Sequence, residues 1–203
     1  LPVKHVVIAG SSSEYGKKSK PMSETDLLEP NNTYAVTKAA QSNIALIYLN
    51  SYNCLITVLR LFNVYGYGEE KGRLVRSVIE SALQNTPILL ATGNEARDLI
   101  FIEDVVDSFL QIMNSNSKTV YGMYNIGTGT QTSIYQLAQQ TVALTQSTSP
   151  IQLNAYAGRA WDTEHWVANI KKANSVLQWK PRHNLNEGLK KTIDWYKNHD
   201  KIG

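Results

Sequence analysis

The residues best suited to chemistry in this sequence are Tyr34 and Lys38, within Tyr34-Ala35-Val36-Thr37-Lys38. Spaced i and i+4, they share one face of a helix, so the ammonium can sit beside the phenol. A neighbouring cation favours phenolate and moves a tyrosine from its ordinary value of about 10 toward working pH, where the phenol serves as acid and base. A Tyr-x-x-x-Lys pair alone is also what an ordinary helix surface shows. This one follows Gly10-Ser11-Ser12-Ser13, which ends an apolar run, residues 6–9, that reads as a parallel strand. Open α/β sheets place ligands at the carboxyl ends of their strands. A serine cluster is otherwise a turn or a cap; its position is what joins it to the Tyr34 helix as part of a site.

The elements that must hold these groups follow from periodicity. Residues 6–9 have the continuous apolar character of a central strand covered on both faces. The spacing predicts a helix over 33–50, with Ala39, Ala40, Ile44, Ile47 and Tyr48 as its apolar face, and a second buried strand over 55–61. Helical spacing returns at Leu74, Val75, Val78, Ile79 and Leu83. A short strand is expected at 88–90, an extended segment at 100–102, and a helix from Glu103-Asp104 to about Met113, its acids at the positive end. A strand over 120–126, a helix over 131–146, an extended stretch at 151–155, and helices starting near Asn169 and Asn186 complete the chain. Helices alternating with strands imply a mostly parallel α/β sheet.

Composition narrows the function classes. Among 203 residues, 42% hydrophobic and 18% charged side chains exclude a disordered polyelectrolyte. Twenty basic against seventeen acidic residues leave a net charge of +3, with no cluster dense enough to bind nucleic acid by charge. No run of about 18 apolar residues and no basic-then-apolar leader occurs, so neither membrane nor secretion is expected, and the cytoplasm is the expected setting. The single cysteine, Cys54, forbids an internal disulfide and a cysteine zinc site, and no metal is expected. Leu1 leads directly into the strand at 6–9 with no turn or cap before it, so the sequence reads as an entry into the middle of a fold.

Ser11 with Tyr15-Gly16, Pro30 shortly before Tyr34-x-x-x-Lys38-Ala39, and Arg60-Leu61-Phe62-Asn63-Val64-Tyr65-Gly66 resemble the extended short-chain dehydrogenase/reductases that act on nucleotide sugars. That is the NAD-dependent epimerase/dehydratase family, which includes UDP-glucose 4-epimerase. The resemblance continues through Gly93 to Asp98, Glu103-Asp104-Val105, Tyr124-Asn125-Ile126-Gly127, Arg159 with Asp162, Leu177-Gln178-Trp179-Lys180-Pro181, Gly188-Leu189 and Trp195-Tyr196. It implies a Rossmann-type parallel sheet with a smaller α/β substrate domain, divided at 1–64 and 65–203, with some later segments returning to the sheet. It also implies roles: Tyr34 as acid/base, Lys38 holding the nicotinamide ribose, Ser11 bonding the reacting sugar oxygen, and Phe62 beside the nicotinamide. Asn63 would lie near the sugar diphosphate, Arg97 and Arg159 would bind that diphosphate, and Asp162 would orient the second arginine or contact a ribose. For the arginines, exposed charge paired with Asp98 or Asp162 is the competing reading. A nucleotide-diphosphate sugar is the implied partner, NAD rather than NADP the implied cofactor, and a homodimer through the helix after Tyr34 the implied assembly.

Two departures qualify the resemblance. A dinucleotide site needs a glycine-rich first βα turn and, about 20 residues later, an acid for the ribose. Gly127-Thr128-Gly129 is the one candidate, but its third glycine position is Thr132, and no Asp or Glu lies between Asp107 and Asp162. The pyrophosphate-binding half is therefore expected to be missing. The family's dehydratases also carry an Asp-Glu pair directly after the residue matching Ser11. Here those positions are Ser12 and Ser13, with Glu14 one residue late. The expectation is a nucleotide-sugar epimerase, in the first place a 4-epimerase. An NADPH-dependent ketoreductase, a 4,6-dehydratase and a non-catalytic sugar-binding fragment are the alternatives.

Overall fold

The structure, a computed structural model, describes residues 5–52, 55–115, 120–158 and 162–199. In chain order it contains β1 (Val6–Ser11), a 3₁₀ turn (Ser12–Tyr15), α1 (Thr33–Ser51), β2 (Ile56–Leu61), β3 (Asn63–Tyr65), α2 (Leu74–Leu83) and β4 (Ile88–Leu89). Then come β5 (Ala96–Arg97), β6 (Leu99–Phe101), α3 (Ile102–Met113), β7 (Gly122–Ile126), β8 (Thr132–Ser133), α4 (Ile134–Thr145), β9 (Ile151–Gln152), α5 (Lys171–Leu177) and α6 (Leu185–His199).

β1, β2 and β7 form a parallel sheet in that order. Their side chains alternate between two layers, as the pleat requires. Val58 and Met123 pack with Ala45 under α1, while Leu59, Tyr124 and Ile126 join Val105, Ile112, Ala173 and Leu177 under α3 and α5. A third core gathers α2, α4 and α6 around Tyr65, Ile79, Phe101, Leu137 and Ile193. The short parallel pair β3 and β6 leads from the sheet into that core. Gly188 lets α6 lie directly on the Tyr65 ring, since any Cβ there would run into it.

β1 pairs with β2 on one side among the described residues and leaves Val6 40% exposed. Two expectations are corrected. The buried face of α1 is Ala35, Ala39, Ser42 and Ala45, whereas Ala40, Ile44, Ile47 and Tyr48 face outward. Small residues let the helix approach the sheet closely, and the bulky ones fill the opposite face. Finally, α4 begins at Ile134 rather than at 131. Thr132 and Ser133 pair antiparallel with Arg97 and Ala96, and Ser133 caps the helix in a reciprocal bond with Gln136. Val3 and Cys54 lie outside the described residues. No helix among the described residues is long and apolar enough to cross a membrane. None of their His, Cys, Asp and Glu groups is arranged to hold a metal ion.

Candidate active site

The carboxyl end of β1 turns immediately into the 3₁₀ helix. Ser11 is its N-cap: its Oγ accepts from the Ser13 amide at 3.2 Å and lies 2.8 Å from the Ser13 hydroxyl. Glu14 returns the bond, its Oε1 accepting from the Ser11 amide at 2.8 Å, which completes a capping box. Ser12 accepts from the Trp166 indole at 3.1 Å. The late acid of the sequence therefore does not face the open end of the strand. Glu14 is fully buried, and its Oε2 meets Arg60 Nε at 2.9 Å, a side chain only 2% exposed. Arg60 also donates to the Tyr15 hydroxyl, which donates to Asn125 Oδ1 at 2.7 Å. Burial pushes the Tyr15 phenol up to about 12, with Arg60 pulling the other way, so Tyr15 is a neutral donor.

Asn32 caps α1 through the Ala35 amide, placing Tyr34 in the first turn of the helix beside this strand end. The Tyr34 side chain is 58% exposed and open to a ligand. Lys38, one turn on, holds its Nζ 6.0 Å from the Tyr34 ring centre and donates to the Ala9 carbonyl at 2.8 Å and to Gln41 at 3.2 Å. Ala9 is two residues before Ser11, so the lysine ties the tyrosine's helix to the same strand end.

The remaining candidates are distributed as follows. The Phe62 ring is buried with Tyr15, Met22 and Ala168, and its amide donates to Ile126. Asn63 donates its amide to the Asp98 carbonyl, while its Oδ1 is shielded from solvent without a hydrogen-bond partner. Arg97 is not an exposed charge. Its side chain is largely buried and donates to the Ala96 carbonyl and, at 2.7 Å, to Asp162 Oδ1. Asp162 thus holds Arg97, while the second arginine, Arg159, lies outside the described residues.

Sequence reasoning missed the residue that organises this side. Asp98 is fully buried and accepts four bonds, from the Thr128 amide and hydroxyl, the Gly129 amide and the Ala168 amide, at 2.7–3.0 Å. Burial pushes its carboxyl up from the usual range, against the pull of those donors. The signal available in the sequence was its place beside Arg97. The consequence for the glycine turn is direct: the amides of Thr128 and Gly129 are spent on Asp98 and cannot cradle a pyrophosphate. A Cβ at Gly127 would meet Asp98 Oδ2 at 2.8 Å, so that glycine serves the carboxylate. The glycine turn therefore does not fit a dinucleotide's pyrophosphate, because its amides are held by Asp98.

UDP-glucuronate 4-epimerase 1 of Arabidopsis thaliana is 30% identical over 212 residues, covering 96% of this chain and 49% of that protein. Human dTDP-D-glucose 4,6-dehydratase is 27% identical over 196 residues, covering 90% and 53%. The crystal structure of UDP-glucuronic acid 4-epimerase from Bacillus cereus, in complex with UDP-glucuronic acid and NAD, superposes with a TM-score of 0.89 at 25% identity, over 97% of this chain and 62% of that one. The chain therefore spans roughly half to two thirds of the length of these relatives. The NAD dependent epimerase/dehydratase family profile matches residues 1–127, which hold the strand end, the Tyr34 helix and the Arg97-Asp98 segment. By that match, and by the parallel sheet that carries these residues, the chain belongs to the NAD dependent epimerase/dehydratase family.

Proposed function

We propose that the chain carries the substrate-handling part of a nucleotide-sugar epimerase, a 4-epimerase, that oxidises one sugar carbon transiently and re-reduces it from the other face. The observation that carries this reading is the solvent-open Tyr34 phenol beside a lysine tied to the strand end that bears Ser11. Tyr34 takes the proton from the sugar hydroxyl and returns it, and Lys38, one helical turn on, keeps its ammonium beside the ring while tied to the Ala9 carbonyl. Ser11 bonds the same sugar oxygen. Arg97, held by Asp162, offers its remaining guanidinium donors to the diphosphate together with Arg159, and Asn63 Oδ1 accepts from the substrate. Tyr34, Lys38 and Phe62 hold the nicotinamide end of NAD, which supplies the hydride acceptor when bound. The pyrophosphate is held by a glycine-rich turn outside these 203 residues. Dehydration is disfavoured because Ser12 and Ser13 bring no acid to the sugar and Glu14 is committed to Arg60. The enzyme works in the cytoplasm as a homodimer joined through α1.

Tyr34→Phe tests the reading. In the protein that carries its dinucleotide-binding segment, the variant should lose roughly 10²- to 10⁴-fold in turnover. Nucleotide-sugar binding should be kept, because only the ionisable oxygen is removed. Unchanged turnover would overturn the assignment.

A further inference from the structure

The strand register sets Gly10, Arg60 and Asn125 side by side across β1, β2 and β7, one row below Ser11, Leu61 and Ile126. Charge is unexpected there. Arg60 is the charged member of a buried run, Ile56-Thr57-Val58-Leu59-Arg60, and a buried charge is costly unless fully paired. It is fully paired. Its Nε meets Glu14 at 2.9 Å, its Nη1 donates to the Tyr15 hydroxyl at 2.9 Å and toward the Glu24 carbonyl at 3.4 Å, and its guanidinium lies 4.7 Å from the centre of the Tyr15 ring. Tyr15 passes the chain to Asn125, whose Nδ2 donates to the Met22 carbonyl at 2.8 Å. One polar thread thus joins the ends of all three strands.

Gly10 makes room for it. A Cβ at that position would stand 2.9 Å from Glu14 Oε1 and 2.9 Å from Val58, so the missing side chain is replaced by the carboxylate of a residue four positions later. That carboxylate has one free oxygen beyond Arg60, and it takes the Ser11 amide. The Ser11 backbone is therefore fixed from beneath by the ion pair.

Building on the role of Ser11 given above, we propose that Glu14 and Arg60 are positioning residues for the reaction: their buried pair holds the Ser11 amide and so aims the Ser11 hydroxyl at the reacting sugar oxygen. Neither touches substrate. A hydroxyl misplaced by about 1 Å can cost 10²-fold in rate while the rest of the binding surface stays intact, so the expected signature is a loss in kcat without a matching loss in affinity.

The test compares Glu14→Leu/Arg60→Met, which removes both charges together and is the form of change that buried pairs tolerate best, with Ser11→Ala and with the triple variant. Each is made in the protein with its dinucleotide-binding segment, with UDP-glucose and UDP-glucuronic acid as probes. The double variant should unfold cooperatively, bind the probe within threefold of the parent, and lose at least tenfold in kcat. Ser11→Ala should cost the parent tenfold or more and the double variant less than twofold. Amide exchange at Ser11, which needs no turnover, should accelerate at least a hundredfold. Wild-type kcat or unchanged protection of that amide in the double variant would overturn the proposal, as would an equal cost of Ser11→Ala in both backgrounds. Should the double variant not fold, Glu14→Asp keeps the charge but falls one methylene short of bridging both partners, and the same loss of kcat and protection is expected of it. If Ser11→Ala and Tyr34→Phe both turn over normally, the reading of the site fails; if they are impaired and the double variant is not, only the positioning role fails.

Discussion

Asp98 shows how much a single buried carboxylate can organise. Its four donors come from two segments distant in sequence, the turn after β7 and the stretch around Ala168, and its own carbonyl receives the Asn63 amide. Asp98→Ala should cost about 3 kcal/mol or more, because three backbone amides lose their acceptor without gaining water. Asp98→Asn should cost nearly as much, since in either orientation its amide nitrogen would oppose at least one backbone N–H donor. Urea unfolding measures both; an Asn variant as stable as the parent would contradict the four-donor cradle. Arg97 next to it illustrates the same economy of charge. Its pairing with Asp162 leaves the guanidinium oriented before any phosphate arrives.

At the level of elements, helix ends carry information that strand interiors do not. α4 ends at Gln146 in the left-handed region, φ 55°, where its amide reaches back to the Ala143 and Val142 carbonyls. A side chain is strained there and glycine is not. Gln146→Gly should stabilise by about 1 kcal/mol, read as a rise in melting temperature of roughly 2–4 °C for a chain of this size; a fall would show that the Gln146 side chain contributes more than its strain costs. α1 is the other informative element. With alanines, a serine and the half-buried Leu46 and Leu49 inward, it leaves Ile44, Ile47 and Tyr48 uncovered among the described residues.

For the molecule as a whole, that outer face is where the proposed homodimer would form. Contiguous apolar surface of this kind marks interaction sites in soluble proteins. Ile44→Glu/Ile47→Glu should convert a dimer into a monomer by sedimentation while leaving thermal unfolding of the fold intact, since both side chains are more than half exposed. A wild-type monomer, or a variant that still dimerises, would move the interface elsewhere.

The sequence by itself determined what depends on neighbours a few residues apart. The pairing of Tyr34 with Lys38 follows from helical pitch, and the alternation of strands and helices from hydropathy period. The glycine turn at 127–129 departs from a dinucleotide loop in its spacing and in the lack of a following acid. Only the tertiary structure decided which charges meet. Glu14 and Arg60 are 46 residues apart, Arg97 and Asp162 are 65, and Asp98 and Ala168 are 70. Strand register and packing choose such partners, and neither leaves a local period in the chain. The same holds for the buried face of α1: hydropathy favours isoleucine over alanine for the interior, whereas close approach of a helix to a sheet favours the smaller residue.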